Sequence, residues 1–172
     1  ALVMDCSGSM YGTSIRAARK AAKTFVNRTI QRNREVAVIA FPGGVKTAAT
    51  NQIDRIEAAI DSLTPIGSTP MHEGLSRARD LLRTTGNLQR VVVILADGHP
   101  DDPEAAAAEA HRIKADKGRI IVVGIGRQVD RTYLQRLCST PADYHHVDDN
   151  IDLEGTFINL ATQLAPKTQD SP

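Results

Sequence analysis

Arg90–Ala96, RVVVILA, followed at once by Asp97-Gly98, is the stretch on which the fold turns. Its apolar, largely β-branched residues do not alternate with polar ones. The strand they form is therefore buried on both faces, as at the centre of a parallel sheet. Parallel strands need long crossovers, and helical patterns flank this one. Upstream, after the loop 64–68, Pro70 suits the first turn of a helix whose buried stripe is Met71, Leu75, Ala78 and Leu82. Downstream, Pro103 opens an Ala-rich helix reaching about Lys117, which Gly118 is expected to close, and 120–125 (IIVVGI) is a second central strand.

The alternation continues to both ends. Residues 1–4 form a first strand, and Ile15, Ala18, Ala22, Phe25 and Val26 recur at helical spacing through a long helix ending near Arg32. Residues 35–41 (EVAVIAF) are a buried strand; Pro42-Gly43-Gly44 turns the chain, so that 45–49 can return antiparallel at an edge. A short helix over 53–63, a helix over 130–137, a short strand Tyr144–Val147 and a final helix over 153–164 complete the pattern. The fold class is α/β: a doubly wound, Rossmann-like three-layer sandwich with a mostly parallel central sheet, one antiparallel edge strand and helices on both faces. One domain is expected over 1–166 and a polar tail or linker over 167–172. Because Ala1 leads straight into an apolar strand, the chain is expected to begin inside a longer protein.

Composition narrows the partners. The 172 residues carry 21 basic and 20 acidic side chains, a formal charge of +1, with 41% hydrophobic and 24% charged residues. No Lys/Arg cluster favours a nucleic acid or direct membrane contact, and no apolar run is long enough to span a bilayer. Cys6 and Cys138 are too few for a disulfide scaffold; they read as reduced thiols of an intracellular protein, with a bridge between them left open.

In doubly wound sheets ligands bind outside the carboxyl ends of the strands, where the strand order reverses. The loops there hold Asp5-Cys6-Ser7-Gly8-Ser9, then Gly67-Ser68-Thr69-Pro70, then Asp97-Gly98. Asp5 and Asp97 each end an apolar strand, where an unpaired carboxylate is costly without a function. Ser7 and Ser9 alternate with Asp5 and can aim their oxygens at the same point, and Thr69 adds a hydroxyl from another loop. Two carboxylates with neutral hydroxyls are hard oxygen donors, without the His or Cys set of zinc sites, and suit a small octahedral cation, Mg2+ or Mn2+. Taken singly, each residue has a structural reading: Asp5, Asp97 and Thr69 as helix caps, Ser7 and Ser9 as partners of backbone donors. Asp101 and Asp102 precede Pro103 and read as caps.

These residues carry a resemblance to the von Willebrand factor type A family, whose metal-ion-dependent adhesion site reads D-x-S-x-S, then T, then D at successive strand tops. Here DCSGSM supplies Asp5, Ser7 and Ser9, GSTP supplies Thr69, and ADG supplies Asp97; the order of elements agrees over essentially the whole chain. The resemblance implies that the hydroxyls bind metal directly and the aspartates often through water. The ion then keeps an open position, which a partner's exposed Asp or Glu completes. Ser68, His99 and Met10 are the residues expected to touch that partner. DCSGSM, with Gly8 and Met10, is more similar to the intracellular and prokaryotic branch, which implies a cytoplasmic setting beside other domains or subunits such as an AAA+ ATPase. An extracellular or cell-surface setting is the alternative.

The competing reading is a Mg2+-dependent phosphotransfer or hydrolase enzyme using the same acidic cluster. An aspartate-nucleophile phosphatase wants a carboxylate where Ser7 stands, a cysteine phosphatase wants an arginine at Gly12, and neither G-x-S-x-G nor a P-loop occurs. His72 and His99 are the nearby histidines, and neither has an evident activating partner in the sequence. A non-enzymatic binding module is therefore expected.

Overall fold

The computed structural model describes residues 1–31, 34–84, 86, 89–149 and 151–164. Arg32, where the first helix was expected to end, and residues 165–172, which include the expected tail and the last positions of the expected domain, lie outside the described residues. The strands are β1 (Leu2–Asp5), β2 (Val36–Phe41), β3 (Gly44–Thr50), β4 (Arg90–Ala96), β5 (Gly118–Ile125) and β6 (Tyr144–Val147). The helices are α1 (Thr13–Ile30), α2 (Ile53–Asp61), α3 (Met71–Thr84), α4 (Pro103–Ala115), α5 (Arg131–Leu137) and α6 (Leu153–Gln163). They form the expected α/β sandwich. The sheet order is β3-β2-β1-β4-β5-β6, parallel except for the antiparallel edge pair β2–β3.

The period-2 geometry of strands divides one run of apolar residues between two cores. From β1, Leu2 and Met4 face one side and Val3 the other; from β4, Val93 and Leu95 join the first side, while Val92, Ile94 and Ala96 join the second. The first face is covered by Ile15, Ala18 and Phe25 of α1, Ile56 and Ile60 of α2, and Leu153, Phe157 and Leu160 of α6. The second is covered by Met71 and Leu75 of α3, Ala106, Ala110 and Ile113 of α4, and Leu134 and Leu137 of α5. Cys6 packs in the first core and Cys138 in the second, and both are free and buried. The bridge left open by the sequence is thus absent, since the sheet stands between the two sulfurs.

One helix end differs from expectation. Gly118 does not close α4: the helix stops at Ala115, Lys117 takes the left-handed turn at φ 62°, and Gly118 is the first residue of β5. The glycine serves close approach instead. A Cβ there would lie 2.7 Å from Ile113 Cγ2 and 2.9 Å from the Ile113 carbonyl oxygen, and the backbone oxygen cannot step aside cheaply. Gly118→Ala is expected to cost roughly 1–3 kcal/mol by overpacking. Urea unfolding checks this; an unchanged midpoint would mean that the α4–β5 joint opens without penalty.

Strand order reverses between β1 and β4, which lie side by side with Met4 opposite Leu95. The chains leaving their carboxyl ends diverge to α1 and α4 on opposite faces of the sheet, which opens the crevice in which such folds hold ligands.

Candidate metal centre

Asp5 is the last residue of β1 and is fully buried. Its Oδ1 accepts a hydrogen bond from the Ser7 amide at 2.8 Å, whereas its buried Oδ2 has no hydrogen-bond partner. Burial pushes the Asp5 carboxyl up to about 6, an effect that the nearby Ser7 hydroxyl and amide oppose and that the Asp97 charge reinforces. Asp97, one residue beyond β4 and half-buried, is also raised by burial, against the hydrogen bond it receives from Ser9.

The hydroxyls join the two carboxylates. Ser7 is buried, in extended backbone at φ −67° and ψ 167°, and its Oγ lies 2.9 Å from Ser9 Oγ. Ser9 Oγ in turn donates to Asp97 Oδ1 at 2.8 Å. A short 3-10 turn, Gly8–Met10, follows, and Gly12, the residue just before α1, stands at φ 84° and ψ −119°, a conformation that needs glycine. This turn folds Ser9 back over Ser7 and toward β4.

Thr69 arrives from the third loop and is half-buried. Its loop is sewn to the first by backbone bonds, Gly8 amide to Gly67 carbonyl at 3.1 Å and Ile66 amide to Cys6 carbonyl at 2.8 Å. It is sewn to the loop after β4 by the Asp101 amide, which donates to the Thr69 carbonyl at 3.0 Å. Direct side-chain bonds thus link Ser7, Ser9 and Asp97, the Ser7 amide ties in Asp5, and Thr69 is tied in through backbone.

Of the residues expected to touch a partner, Ser68 is exposed and His99 is 63% exposed at its side chain, with Nδ1 4.0 Å from Asp130 Oδ2. Met10 is not at the surface: it is 0% exposed and packs in the core under α1, because the 3-10 turn directs it inward. That removes it from the residues a partner can reach. The neighbour in its place is Tyr11, 81% exposed, and Ile66 on the third loop is 57% exposed. Sequence reading passed over both, since an isolated apolar loop residue gives no signal of which way it points. Of the two expected caps, only Asp102 caps α4, accepting from the Ala105 amide at 2.9 Å.

Among the described residues, no group of three or more His, Cys, Asp and Glu gathers as a metal cage. The donors at these loops are instead two carboxylates and hydroxyls, a hard-oxygen set that fits a divalent cation. A cation would also relieve the two features burial leaves unresolved, the unpartnered Asp5 Oδ2 and the carboxyls raised by desolvation.

These features define a class: an α/β domain with an oxygen-donor site over the carboxyl edge of its sheet, at the point where strand order reverses. The chain belongs to the von Willebrand factor type A domain family, whose model matches residues 1–159. It is 28% identical over 190 aligned residues to inter-alpha-trypsin inhibitor heavy chain H2 of Mesocricetus auratus, covering 97% of this chain and 20% of that protein. It is 29% identical over 121 residues to the magnesium-chelatase 67 kDa subunit of Chlorobaculum parvum, covering 67% of this chain and 20% of that one. The chain thus spans about a fifth of the length of these curated relatives. Solved structures share the fold. The von Willebrand domain of the type V pili tip protein Mfa5 from Porphyromonas gingivalis matches with TM-score 0.85 at 13% identity, over 95% of this chain and 93% of that one. Proximal thread matrix protein 1 from the mussel byssus, with a zinc-occupied MIDAS motif, matches with TM-score 0.82 at 20% identity, over 95% and 44%. Manganese-loaded TRAP protein of Plasmodium vivax matches with TM-score 0.70 at 20% identity, over 91% and 71%. Among the described residues, no helix is long and apolar enough to cross a membrane.

Proposed function

We propose that this domain is a divalent-metal-dependent protein–protein interaction module. Asp5, Ser7, Ser9, Thr69 and Asp97 would hold Mg2+ or Mn2+, and an exposed Asp or Glu of a partner protein would complete the coordination. The observation that carries the reading is the buried, unpartnered Asp5 Oδ2 within a hydrogen-bonded chain of Ser7, Ser9 and Asp97. The bound cation supplies Lewis acidity toward a carboxylate. The chain's own residues do the rest: the two serines orient, the two aspartates supply negative charge, and the exposed Ser68 and His99 meet the partner at the rim. With the hydroxyls binding directly and the aspartates acting through water, the ion would keep much of its positive charge, so a partner without a carboxylate leaves it under-coordinated and is rejected.

Metal-loaded domains of the same fold, in the mussel and Plasmodium vivax proteins, support the metal reading. The role is binding rather than catalysis: the hydroxyls are engaged with one another and with Asp97, and the exposed His99 stands 4.0 Å from its carboxylate neighbour Asp130, as a solvated loop residue does. The chelatase subunit among the relatives and the two buried free thiols support a cytoplasmic place within a larger protein or complex.

Calorimetric titration of metal-stripped protein with Mg2+ and Mn2+ tests this. One saturable equivalent is expected, with Mn2+ affinity falling roughly 10-fold in Thr69→Ala, which loses one neutral donor. Absence of saturable binding by the parent would overturn the reading. Turnover of a phosphate ester by the metal-loaded protein would favour the enzyme instead.

A further inference from the structure

Asp101 is exposed, follows β4 by five positions, and does not cap the helix it precedes, because Asp102 already does so. Its carboxylate turns back instead: Asp101 Oδ2 accepts a hydrogen bond from the Thr69 amide at 3.0 Å. The Asp101 amide simultaneously donates to the Thr69 carbonyl oxygen at 3.0 Å. The amide and the carboxylate of one residue thus grip the backbone carbonyl and amide of another, from a loop thirty-two positions away in the chain.

We infer that Asp101 is the positioning residue for Thr69, locking its loop against the one that carries Asp97 so that the Thr69 hydroxyl is set at the metal centre; this rests on the function proposed above. Two antiparallel bonds fix both the position and the rotation of a residue, where a single bond leaves it free to pivot. Thr69 needs such help. Its loop follows Gly67, which is in the left-handed region at φ 63°, and Ser68 between them is exposed, so no side-chain packing from that neighbour holds it. On the carboxyl side Pro70 has no amide to donate, and the bond that the Thr69 carbonyl accepts from the Met71 amide at 2.8 Å runs to the start of α3, not to the loop after β4. The clasp is therefore what couples the third loop to the loop after β4, as the Gly8–Gly67 bond couples it to the loop after β1. Removing a residue that orients a metal ligand typically costs about 10- to 100-fold in metal affinity.

The test uses Asp101→Ala, Asp101→Asn, Thr69→Ala and the Asp101→Ala/Thr69→Ala double variant, titrated with Mn2+ alone in 0.15 M salt. Asp101→Ala is expected to weaken Mn2+ binding about 10-fold, as Thr69→Ala does, and the double variant to be no weaker than Thr69→Ala alone, since both act through one hydroxyl. Asp101→Asn keeps an acceptor oxygen for the Thr69 amide and is expected to stay within about 3-fold of the parent, the residual loss being long-range charge screened by salt. In the metal-free protein, amide exchange at Thr69 is expected to quicken roughly 5-fold in Asp101→Ala and not in Asp101→Asn. Far-ultraviolet circular dichroism should be unaltered, because Asp102 keeps α4 capped. An Asp101→Asn variant as weak as Asp101→Ala would assign the effect to charge and overturn the inference, as would additive losses in the double variant. A parent that binds no Mn2+ would sink the metal reading itself; exchange at Thr69 in the metal-free protein would then still decide whether Asp101 holds that loop, an unchanged rate overturning it.

Discussion

Asp5→Ala is expected to abolish Mg2+ and Mn2+ binding at millimolar metal while leaving the metal-free protein about as stable as the parent. The two halves of this result have one cause. Asp5 is a carboxylate with 0% exposure whose Oδ2 has no partner, and burial raises it from the ordinary 3.8 to about 6. Holding it ionised at pH 7 costs on the order of 3 kcal/mol, which the truncation recovers. Against that stand the amide of Ser7, left without its acceptor, at about 1–3 kcal/mol, and a small cavity. The terms nearly cancel, so the melting temperatures of the two metal-free proteins should agree within a few degrees, while the parent alone gains stability when Mn2+ is added.

The same group sets a pH dependence. A carboxyl raised on folding binds a proton more readily in the native state than in the unfolded one. Its stabilising protonation is complete below about 4 and is lost as pH rises through about 6. The metal-free parent should therefore lose stability from this group between those values, and Asp5→Ala should lack that slope. Metal binding runs the other way, because the cation needs the ionised form: affinity should fall as pH drops below about 6. Thermal unfolding at pH 5 and pH 7, with and without Mn2+, reads all of this. Asp5→Ala binding Mn2+ as tightly as the parent would sink the site assignment.

Phe157→Ala is expected to be the most destabilising of the substitutions considered. Phe157 is fully buried in α6 and meets Phe25 of α1 edge to face, with ring centroids 5.8 Å apart and planes at 89°. Truncating such a residue costs about 3–5 kcal/mol, a large part of the 5–15 kcal/mol that holds a domain of this size together. A fall in melting temperature of roughly 10 °C follows. What remains between α6 and α1 is Leu153, Leu160 and Ala161 in the core, with Lys20 2.7 Å and Thr24 2.9 Å from the Glu154 carboxylate at the surface. The surface contacts are worth little in water. Hydrogen exchange through Leu153–Gln163 should therefore rise more than in α3 or α4. A loss below about 1 kcal/mol would mean that α6 is not part of the cooperative core.

Much of this was legible in the chain, and the reason is local physics. Arg90–Ala96 cannot be a half-exposed strand, because it offers no polar face; 1–4 and 35–41 say the same, and helical spacing between them forces crossovers. The candidate site residues stood out because a carboxylate at the end of an apolar strand is out of place unless something uses it. What local pattern misjudged were directions and partners. Gly118 reads as a helix stop beside an Ala-rich run, yet its missing Cβ is needed by Ile113. Met10 reads as a loop residue beside two serines, yet one 3-10 turn points it into the core.

By itself, then, the sequence determined the α/β class and the strand order's parallel centre, and it singled out the candidate oxygen donors, because burial on two faces and the cost of a lone carboxylate are properties of short segments. Only the tertiary structure decided that Asp97 receives the Ser9 hydroxyl, that Asp101 grips Thr69 rather than capping α4, and that Cys6 and Cys138 lie on opposite sides of the sheet. Each of those joins residues that are far apart along the chain, and the distance between them is set by how the sheet and its two helix layers pack, which no segment carries alone.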